Sequence, residues 1–169
     1  MGEAALEQGR SPLALGGAEA ARLIALLLPV ALLGGALASQ YLGGLHPCEM
    51  CYWQRWPHGA AIVLAALAFT RPAGTPASRM LTLLAALAIA ISGAIGVYHA
   101  GVEAKIFEGF TTCTAGGPRS LEEIMNTPLI RCDQVQFSFL GISMAGWNAI
   151  LSLGGAALIL ILTFRGRRA

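Results

Sequence analysis

Charged residues are scarce in this chain. Only 12% of its 169 residues are charged and 56% are hydrophobic, whereas a soluble domain usually carries about a quarter charged residues. Long stretches contain no charge at all, which is typical of segments that cross a bilayer. The net charge of +2 gives no electrostatic reason to expect binding to nucleic acid. The shortage of charge therefore excludes an ordinary soluble domain and predicts a single membrane domain in contact with lipid.

Four stretches are long and apolar enough to cross a bilayer, which takes roughly 20 residues. The second is the weakest, because its apolar part runs only from Pro57 to Thr70. To span, it must extend back through Arg55 to Cys51, which brings that cysteine to the membrane surface. Pro57 then either kinks the helix or lies in its first turn. The sequence predicts an all-α membrane protein, a four-transmembrane-helix bundle, with spans at about 21–42, 51–70, 80–100 and 144–164.

The first stretch also has features of a secretory signal peptide. Arg22 precedes a Leu-rich run, and Ala36-Leu37-Ala38 before Ser39 is similar to a cleavage site. The apolar run nevertheless continues to Leu42, and a leader of about 20 residues precedes it. We therefore expect the helix to be retained. A mature N-terminus at Ser39 would contradict this expectation.

Lys and Arg in short loops indicate how a membrane protein is oriented. Seven of the 11 basic residues lie on one side of the predicted bundle and four on the other. We therefore expect both termini in the cytoplasm and the loops at about 43–56 and 101–143 outside. The inner group is Arg10, Arg22, Arg71, Arg79, Arg165, Arg167 and Arg168, and the outer group is Arg55, Lys105, Arg119 and Arg131.

Cysteine is also rare, and its placement is informative. The chain has four: Cys48 and Cys51 in the first outer loop, and Cys113 and Cys132 in the second. In the predicted topology none lies in a helix core or in a cytoplasmic loop. Thiols confined to the oxidising face of a membrane are typical of disulfides.

The first pair forms a Cys-x-x-Cys motif at the start of a predicted helix. There the helix dipole favours a thiolate, and a thiolate is the reactive species in thiol exchange. Arg55 lies four residues after Cys51 and faces the same way on a helix. Its guanidinium is suited to stabilise the Cys51 thiolate and to donate hydrogen bonds to a carbonyl oxygen of a bound electron acceptor. Arg55 is also a plausible headgroup anchor, and the two roles are compatible.

Other interpretations of this motif remain open. It is compatible with a purely structural disulfide or with half of a zinc site, which needs four ligands. Cys113 and Cys132, or His46 and His58, are the candidates to complete such a site. Because the sequence has no second Cys-x-x-Cys and no close His pair, we expect no metal.

The long outer loop carries the second pair. Within it, Ser120 and Glu123 have the spacing of a capping box, which predicts a short helix. Leu121, Ile124 and Met125 form one apolar stripe on that helix, so it is expected to be amphipathic and to lie on the membrane surface or on the bundle.

Two cysteine pairs suit a relay, since a soluble dithiol does not readily reach a carrier dissolved in lipid. A mobile outer pair can exchange with the soluble thiol and pass electrons to a pair at the membrane.

These residues together resemble the DsbB family, the bacterial proteins that couple disulfide formation to a quinone. The resemblance rests on the Cys-x-x-Cys with Arg55 at the top of the second helix, the Cys113–Cys132 loop and the stretch 132–145 that leads into the last helix. It implies a bacterial inner-membrane location with the two redox loops in the periplasm. It also implies a DsbA-like periplasmic thiol oxidase as partner, and ubiquinone or menaquinone as the electron acceptor.

The resemblance further implies a role for each site residue. Cys48 and Cys51 would be the quinone-coupled pair, with Cys51 and Arg55 beside the quinone. Cys113 would form a mixed disulfide with the partner, and Cys132 would resolve it or pair transiently with Cys48. His99 approximately matches a family histidine near the quinone, although an interfacial histidine with a local partner fits the sequence equally.

Two departures concern the partner-facing loop. Phe137 stands where well-known members have Trp, and the spacing from Cys113 to Cys132 is shorter than theirs.

Rival functions are an enzyme similar to vitamin K epoxide reductase, in which the loop pair precedes the Cys-x-x-Cys, and a non-enzymatic bundle with two permanent disulfides. A haem protein using His46, His58 or His99 is a further alternative.

Overall fold

The computed structural model describes residues 16–109 and 130–165. The expectation of a mostly helical protein is confirmed, since each of the four predicted stretches forms a helix. Two very short strands were not predicted. In chain order the elements are α1 (Gly17–Tyr41), α2 (Glu49–Phe69), α3 (Pro76–Glu103), β1 (Ser138–Phe139), β2 (Ile142–Ser143) and α4 (Met144–Arg165).

Three helices of the described ranges, α1, α3 and α4, are long and apolar enough to cross a membrane. Helix α2 has 21 residues but is less apolar, because Gln54, Arg55 and His58 lie in its first half. The composition of these helices makes the chain a multi-pass membrane protein. The polar half of α2 also turns out to carry much of the site described below.

Local sequence signals account for the helix boundaries. Helix α3 begins four residues before the predicted start at 80, because the Thr75 side chain accepts a hydrogen bond from the Ser78 amide at 3.3 Å and Pro76 occupies the first turn. Pro57 lies inside α2, which decides the question that the sequence left open. The carbonyl four residues before it therefore lacks its usual helical donor.

The helices are arranged in a ring. Helix α3 packs extensively against both α2 and α4, and α1 packs against the other sides of α2 and α4. Contacts between α1 and α3, which face each other diagonally, are fewer. Each helix therefore has two main neighbours, and polar side chains pointing inward from α2, α3 and α4 can meet.

Small residues fill the interior, while large apolar residues cover the outside. Gly96 lies so close to α4 that an added Cβ would meet the Ala145 carbonyl oxygen at 3.0 Å. Such packing is typical of membrane helices, where close backbone contact replaces the hydrophobic effect. The buried core consists of Ala21, Ala25, Ala61, Ala65, Ala85, Ala86, Ala88, Ala156, Ile89 and Ile159.

A β-hairpin precedes α4. Strands β1 and β2 are antiparallel and are joined by Leu140 and Gly141, which both have positive φ, at 53° and 77°. Two successive positive φ angles are typical of the type I′ turn that favours hairpins. The Trp147 indole donates a hydrogen bond to the Phe139 carbonyl at 3.0 Å and ties the hairpin to α4. The predicted amphipathic helix with its Ser120–Glu123 capping box lies outside the described residues.

Candidate functional site

Cys48 and Cys51 lie at the start of α2. Cys48 is the N-cap residue, and its sulfur accepts a hydrogen bond from the Cys51 amide at 3.3 Å. The two sulfur atoms are 3.0 Å apart. Cys48 is buried, whereas Cys51 is partly exposed. The helix start therefore holds both sulfurs together and leaves only Cys51 accessible.

Cys132, from the long loop between α3 and β1, reaches the same place. It packs with Cys48, Met50 and Val102 in a small buried cluster, and its side chain hydrogen-bonds Cys48. The hydrogen bonds with Cys132 and Cys51, followed by burial, hold the pKa of the Cys48 thiol well above its usual range. Cys48 is therefore protonated at neutral pH and lies between two other sulfurs. Cys113 lies outside the described residues.

An ion cluster holds the segment around Cys132 against the end of α3. The Asp133 carboxylate accepts hydrogen bonds from Arg131 Nε at 2.8 Å and from Lys105 Nζ at 2.5 Å. Lys105 also bonds the Asp133 carbonyl at 2.9 Å. The Arg131 guanidinium, followed by the Lys105 ammonium, holds the pKa of the Asp133 carboxyl well below its usual range. The ion cluster lies on the surface and fixes the backbone next to Cys132.

Helix α1 holds the Arg55 side chain. Its Nη1 donates to the Gln40 side chain at 2.5 Å, and its Nη2 donates to the Ala36 carbonyl at 3.2 Å. The guanidinium also lies 5.1 Å from the centre of the Tyr52 ring. Both hydrogen-bond partners are uncharged, so the positive charge of Arg55 is not neutralised by them. The guanidinium remains close enough to act electrostatically on Cys51.

His99 lies near the end of α3, beside the cysteines. Its Nε2 is 3.6 Å from the Cys48 sulfur and 3.8 Å from a Glu103 carboxylate oxygen. Its Nδ1 is 2.8 Å from the Gln54 side-chain nitrogen. The ring is buried, with 3% of its surface exposed. His99 thus contacts the first cysteine of the pair, a role that the sequence did not predict for it.

A buried polar network extends from Gln54 into the bundle. The Asn148 amide nitrogen on α4 donates to the Gln54 side-chain oxygen at 2.7 Å. The Asn148 oxygen lies 2.9 Å from His58 Nε2, and Ser92 on α3 lies 2.9 Å from the same nitrogen. Ser152 donates to the Asn148 oxygen at 2.9 Å. Polar residues buried in membrane helices are costly and are usually functional.

A cavity of about 620 Å³ opens beside the cysteine pair. Its volume lies within the range of small-molecule sites, about 300–1,000 Å³. Its apolar wall comes from α1, including Leu32, Leu33 and Gly35. The cavity is also lined by Cys51, Gln54, Arg55, His58, His99 and Asn148.

The donor atoms of Cys48, Cys51 and His99 all lie within 4.8 Å of one another. Within the described part of the chain, this group of potential metal ligands includes neither His46 nor His58, which the sequence offered for a four-ligand zinc site. His58 is instead engaged with Asn148 and Ser92. The arrangement is compatible with thiol chemistry assisted by a histidine.

Several site residues were not predicted from the sequence. Gln40, Gln54, Ser92 and Asn148 were not singled out, and His58 was considered only as a metal or haem ligand. A signal for two of them was present: Gln54 and His58 are four residues apart and share a helix face with polar character. Asn148 is a lone amide in an apolar helix, which is a further signal.

Comparisons with known proteins identify the family that this chain resembles. The family model described as "Disulfide bond formation protein DsbB" matches residues 18–162. Several similar proteins carry the name Disulfide bond formation protein B. The one from Chromohalobacter salexigens is 31% identical over 152 residues, covering 82% of this chain and 84% of that protein. The one from an Azoarcus species is 32% identical over 149 residues, covering 82% and 87%. The one from Methylococcus capsulatus is 33% identical over 159 residues, covering 86% and 94%. No solved structure matches this chain.

Proposed function

Because the chain belongs to the DsbB family of disulfide bond formation proteins, we propose that it reoxidises a periplasmic DsbA-like dithiol and passes the electrons to a membrane quinone. The observation that carries this proposal is the position of Cys48. Its sulfur is in contact with Cys132 from the outer loop and with Cys51 beside the cavity. Electrons entering at the loop pair therefore have a short path to the cavity.

In the first half of the proposed reaction, the partner dithiol reduces the Cys113–Cys132 disulfide. A partner thiolate attacks one loop sulfur, and resolution of the mixed disulfide releases the oxidised partner. The reduced loop pair then reduces a Cys48–Cys51 disulfide by the same exchange chemistry. Two electrons move at each step, and one disulfide forms for each that breaks. The contact between Cys48 and Cys132 supports exchange at this pair of sulfurs.

In the second half, Cys48 and Cys51 return to the disulfide and release two electrons and two protons. The quinone supplies an acceptor for both and leaves as the hydroquinone. The cavity fits this group, because its volume and apolar wall suit a flat apolar ring. Cys51 is the accessible sulfur on the cavity wall, and the Arg55 guanidinium can donate hydrogen bonds to a ring carbonyl.

The proposed setting is the bacterial inner membrane, crossed by all four helices. Because α2 packs between α1 and α3, it crosses the same bilayer as its neighbours in this proposal, despite its polar first half. The excess of Arg and Lys at the two termini and in the loop between α2 and α3 supports cytoplasmic termini. The cysteines and the cavity mouth would then face the periplasm.

The test is quinone reduction by the purified full-length chain, driven by a reduced thioredoxin-like dithiol, with ubiquinone and menaquinone each tried. We expect reduction by the native chain, and loss of it in both Cys51→Ser and Cys113→Ser. Trp56→Phe, an exposed position on α2, is the matched control and should retain activity. A native chain that reduces neither quinone would refute the proposal and favour permanent structural disulfides.

A further inference from the structure

Three backbone carbonyls fix the direction of the buried polar network. A carbonyl oxygen only accepts hydrogen bonds, so the side-chain atom that contacts it must be a donor. The Met50 carbonyl lies 3.2 Å from the Gln54 side-chain nitrogen, and the Ser92 carbonyl lies 3.1 Å from the Asn148 side-chain nitrogen. The Gln54 carbonyl accepts from the Ser92 hydroxyl at 2.8 Å. These contacts orient both amides and the hydroxyl.

This direction determines which nitrogen of His99 carries the proton. The Gln54 amide nitrogen donates to His99 Nδ1 at 2.8 Å, so Nδ1 must be the unprotonated acceptor. In a neutral ring the proton then lies on Nε2. That nitrogen faces the Cys48 sulfur at 3.6 Å, and the ring also hydrogen-bonds the backbone of Cys132. An imidazolium would place a second N–H against the Gln54 amide and is disfavoured.

The far end of the network has the same direction. His58 Nε2 faces the Asn148 oxygen and the Ser92 hydroxyl oxygen, each at 2.9 Å. Because the Ser92 hydrogen is directed to the Gln54 carbonyl, both of these oxygens are acceptors, and His58 Nε2 must donate. His58 Nδ1 is buried without a partner among the described residues. The hydrogen bonds therefore run in one direction, from His58 through Asn148 and Gln54 to His99.

We propose that Asn148 is a positioning residue which, through the Gln54 amide, holds His99 as the neutral ring protonated at Nε2 and so aims an N–H donor at the Cys48 sulfur. The role of this donor rests on the proposed function. When the loop dithiol reduces the Cys48–Cys51 disulfide, the Cys132 thiolate attacks the Cys48 sulfur, and the S–S bond breaks with its electron pair on Cys51. The Cys113 thiolate then attacks Cys132 in the Cys48–Cys132 mixed disulfide, which forms the loop disulfide and releases Cys48 as a thiolate. The Nε2–H stabilises the negative charge on Cys48.

The direct test is nitrogen NMR of the full-length chain in detergent with ¹⁵N-labelled histidine, since ring nitrogens with and without a proton have well-separated shifts. His46→Gln and His58→Gln assign the signals. We expect His99 to show a protonated Nε2 and an unprotonated Nδ1. In Gln54→Glu, a carboxylate accepts from Nδ1, and the proton should move to that nitrogen. In Asn148→Leu, which has a similar shape but no donor, the His99 signals should show a mixture of the two tautomers.

Thr163→Val is the matched control, because Thr163 is a buried polar residue of α4 whose hydroxyl donates to the Ile159 carbonyl at 2.7 Å, away from the network. Its His99 tautomer should be that of the native chain. A native His99 protonated at Nδ1 would overturn the proposal, and so would an unchanged tautomer in Asn148→Leu or in Gln54→Glu. If Asn148→Leu fails to fold, Asn148→Asp takes its place, because a carboxylate can still accept from His58 and Ser152 but cannot donate to the Gln54 oxygen.

A kinetic measurement separates this proposal from the proposed function. With a reduced dithiol donor, Asn148→Leu should slow quinone reduction in proportion to the fraction of His99 that loses its Nε2 proton, about twofold for an equal mixture of tautomers, and Thr163→Val should not. A native chain that shows the expected tautomer but reduces no quinone would refute the proposed function and leave the tautomer assignment intact. Full activity in an Asn148→Leu variant with mixed tautomers would refute the role at Cys48.

Discussion

Replacing Gln40 by Met removes one of the two acceptors that hold Arg55 against α1. Met is similar in length to Gln but offers no good acceptor for the guanidinium Nη1, which now lies 2.5 Å from the Gln40 oxygen. The Ala36 carbonyl, at 3.2 Å from Nη2, remains. We expect the guanidinium to become mobile, while its charge and the cysteine pair stay unchanged.

The size of the effect follows from the kind of bond that is lost. A hydrogen bond to a charged group contributes about 1.5–3 kcal/mol. Arg55 is partly exposed, so water replaces part of the lost hydrogen bond, and a loss of about 1 kcal/mol in binding free energy remains. Since each 1.4 kcal/mol corresponds to a factor of ten, kcat/KM for quinone should fall about fivefold. The rate of thiol exchange with the soluble dithiol should not change.

Initial rates of quinone reduction, measured against quinone concentration at a saturating dithiol level, test this. Tyr41→Phe, an exposed neighbour on α1, is the matched control. Gln40→Glu separates the effect of the acceptor from that of the charge, because it retains the acceptor but neutralises the Arg55 charge. An unchanged kcat/KM in Gln40→Met, alongside a large loss in Arg55→Ala, would refute the positioning role of Gln40.

Three further predictions concern the charge, the packing and the loop. Arg55→Ala should weaken quinone reduction more than partner exchange, measured by trapping the mixed disulfide; equal losses would contradict the assignment. Gly96→Ala should lower the thermal midpoint in detergent, because a Cβ there meets the Ala145 carbonyl at 3.0 Å and overpacking costs about 1–3 kcal/mol. Gly34→Ala meets nothing within 4 Å in the described chain, so a similar loss there would contradict the packing argument. Because the pKa of Asp133 is lowered in the fold, its contribution to stability should be full above the ordinary value of about 3.9 and decline as the pH falls below it. A midpoint that varies with pH in the same way in Asp133→Asn would show that another group is responsible.

The helices could be predicted because membrane segments follow from composition. Even the weak second stretch was placed within two residues at its start, since the short apolar part after Pro57 required an extension back to Cys51. The boundaries of α3 differed more, at Pro76 and Glu103 against the predicted 80 and 100. Helix caps and proline placement decide such ends, whereas hydropathy depends on neither. The hairpin before α4 was missed because Leu140-Gly141 lacks the usual Asn-Gly of its turn.

The site was predictable only in its local part. The positions of Cys48, Cys51 and Arg55 at the start of α2 follow from spacing within one helix. The contact of Gln54 with Asn148 joins residues 94 positions apart, and it depends on which faces of α2 and α4 are turned inward. Because these helices are rich in alanine on all sides, their sequence does not indicate which faces are turned inward. The link from His99 to Cys48 was missed for the same reason.

The sulfur of Cys48 has a second use, as the first cap of α2. It satisfies the Cys51 amide, one of the donors that every helix leaves without a partner at its beginning. A change of bonding that draws this sulfur toward Cys132 would withdraw the cap at the same moment. We therefore expect the opening turn of α2 to respond to the bonding state of Cys48, so that amide hydrogen exchange at Cys51 would report a change at this sulfur without observing a thiol.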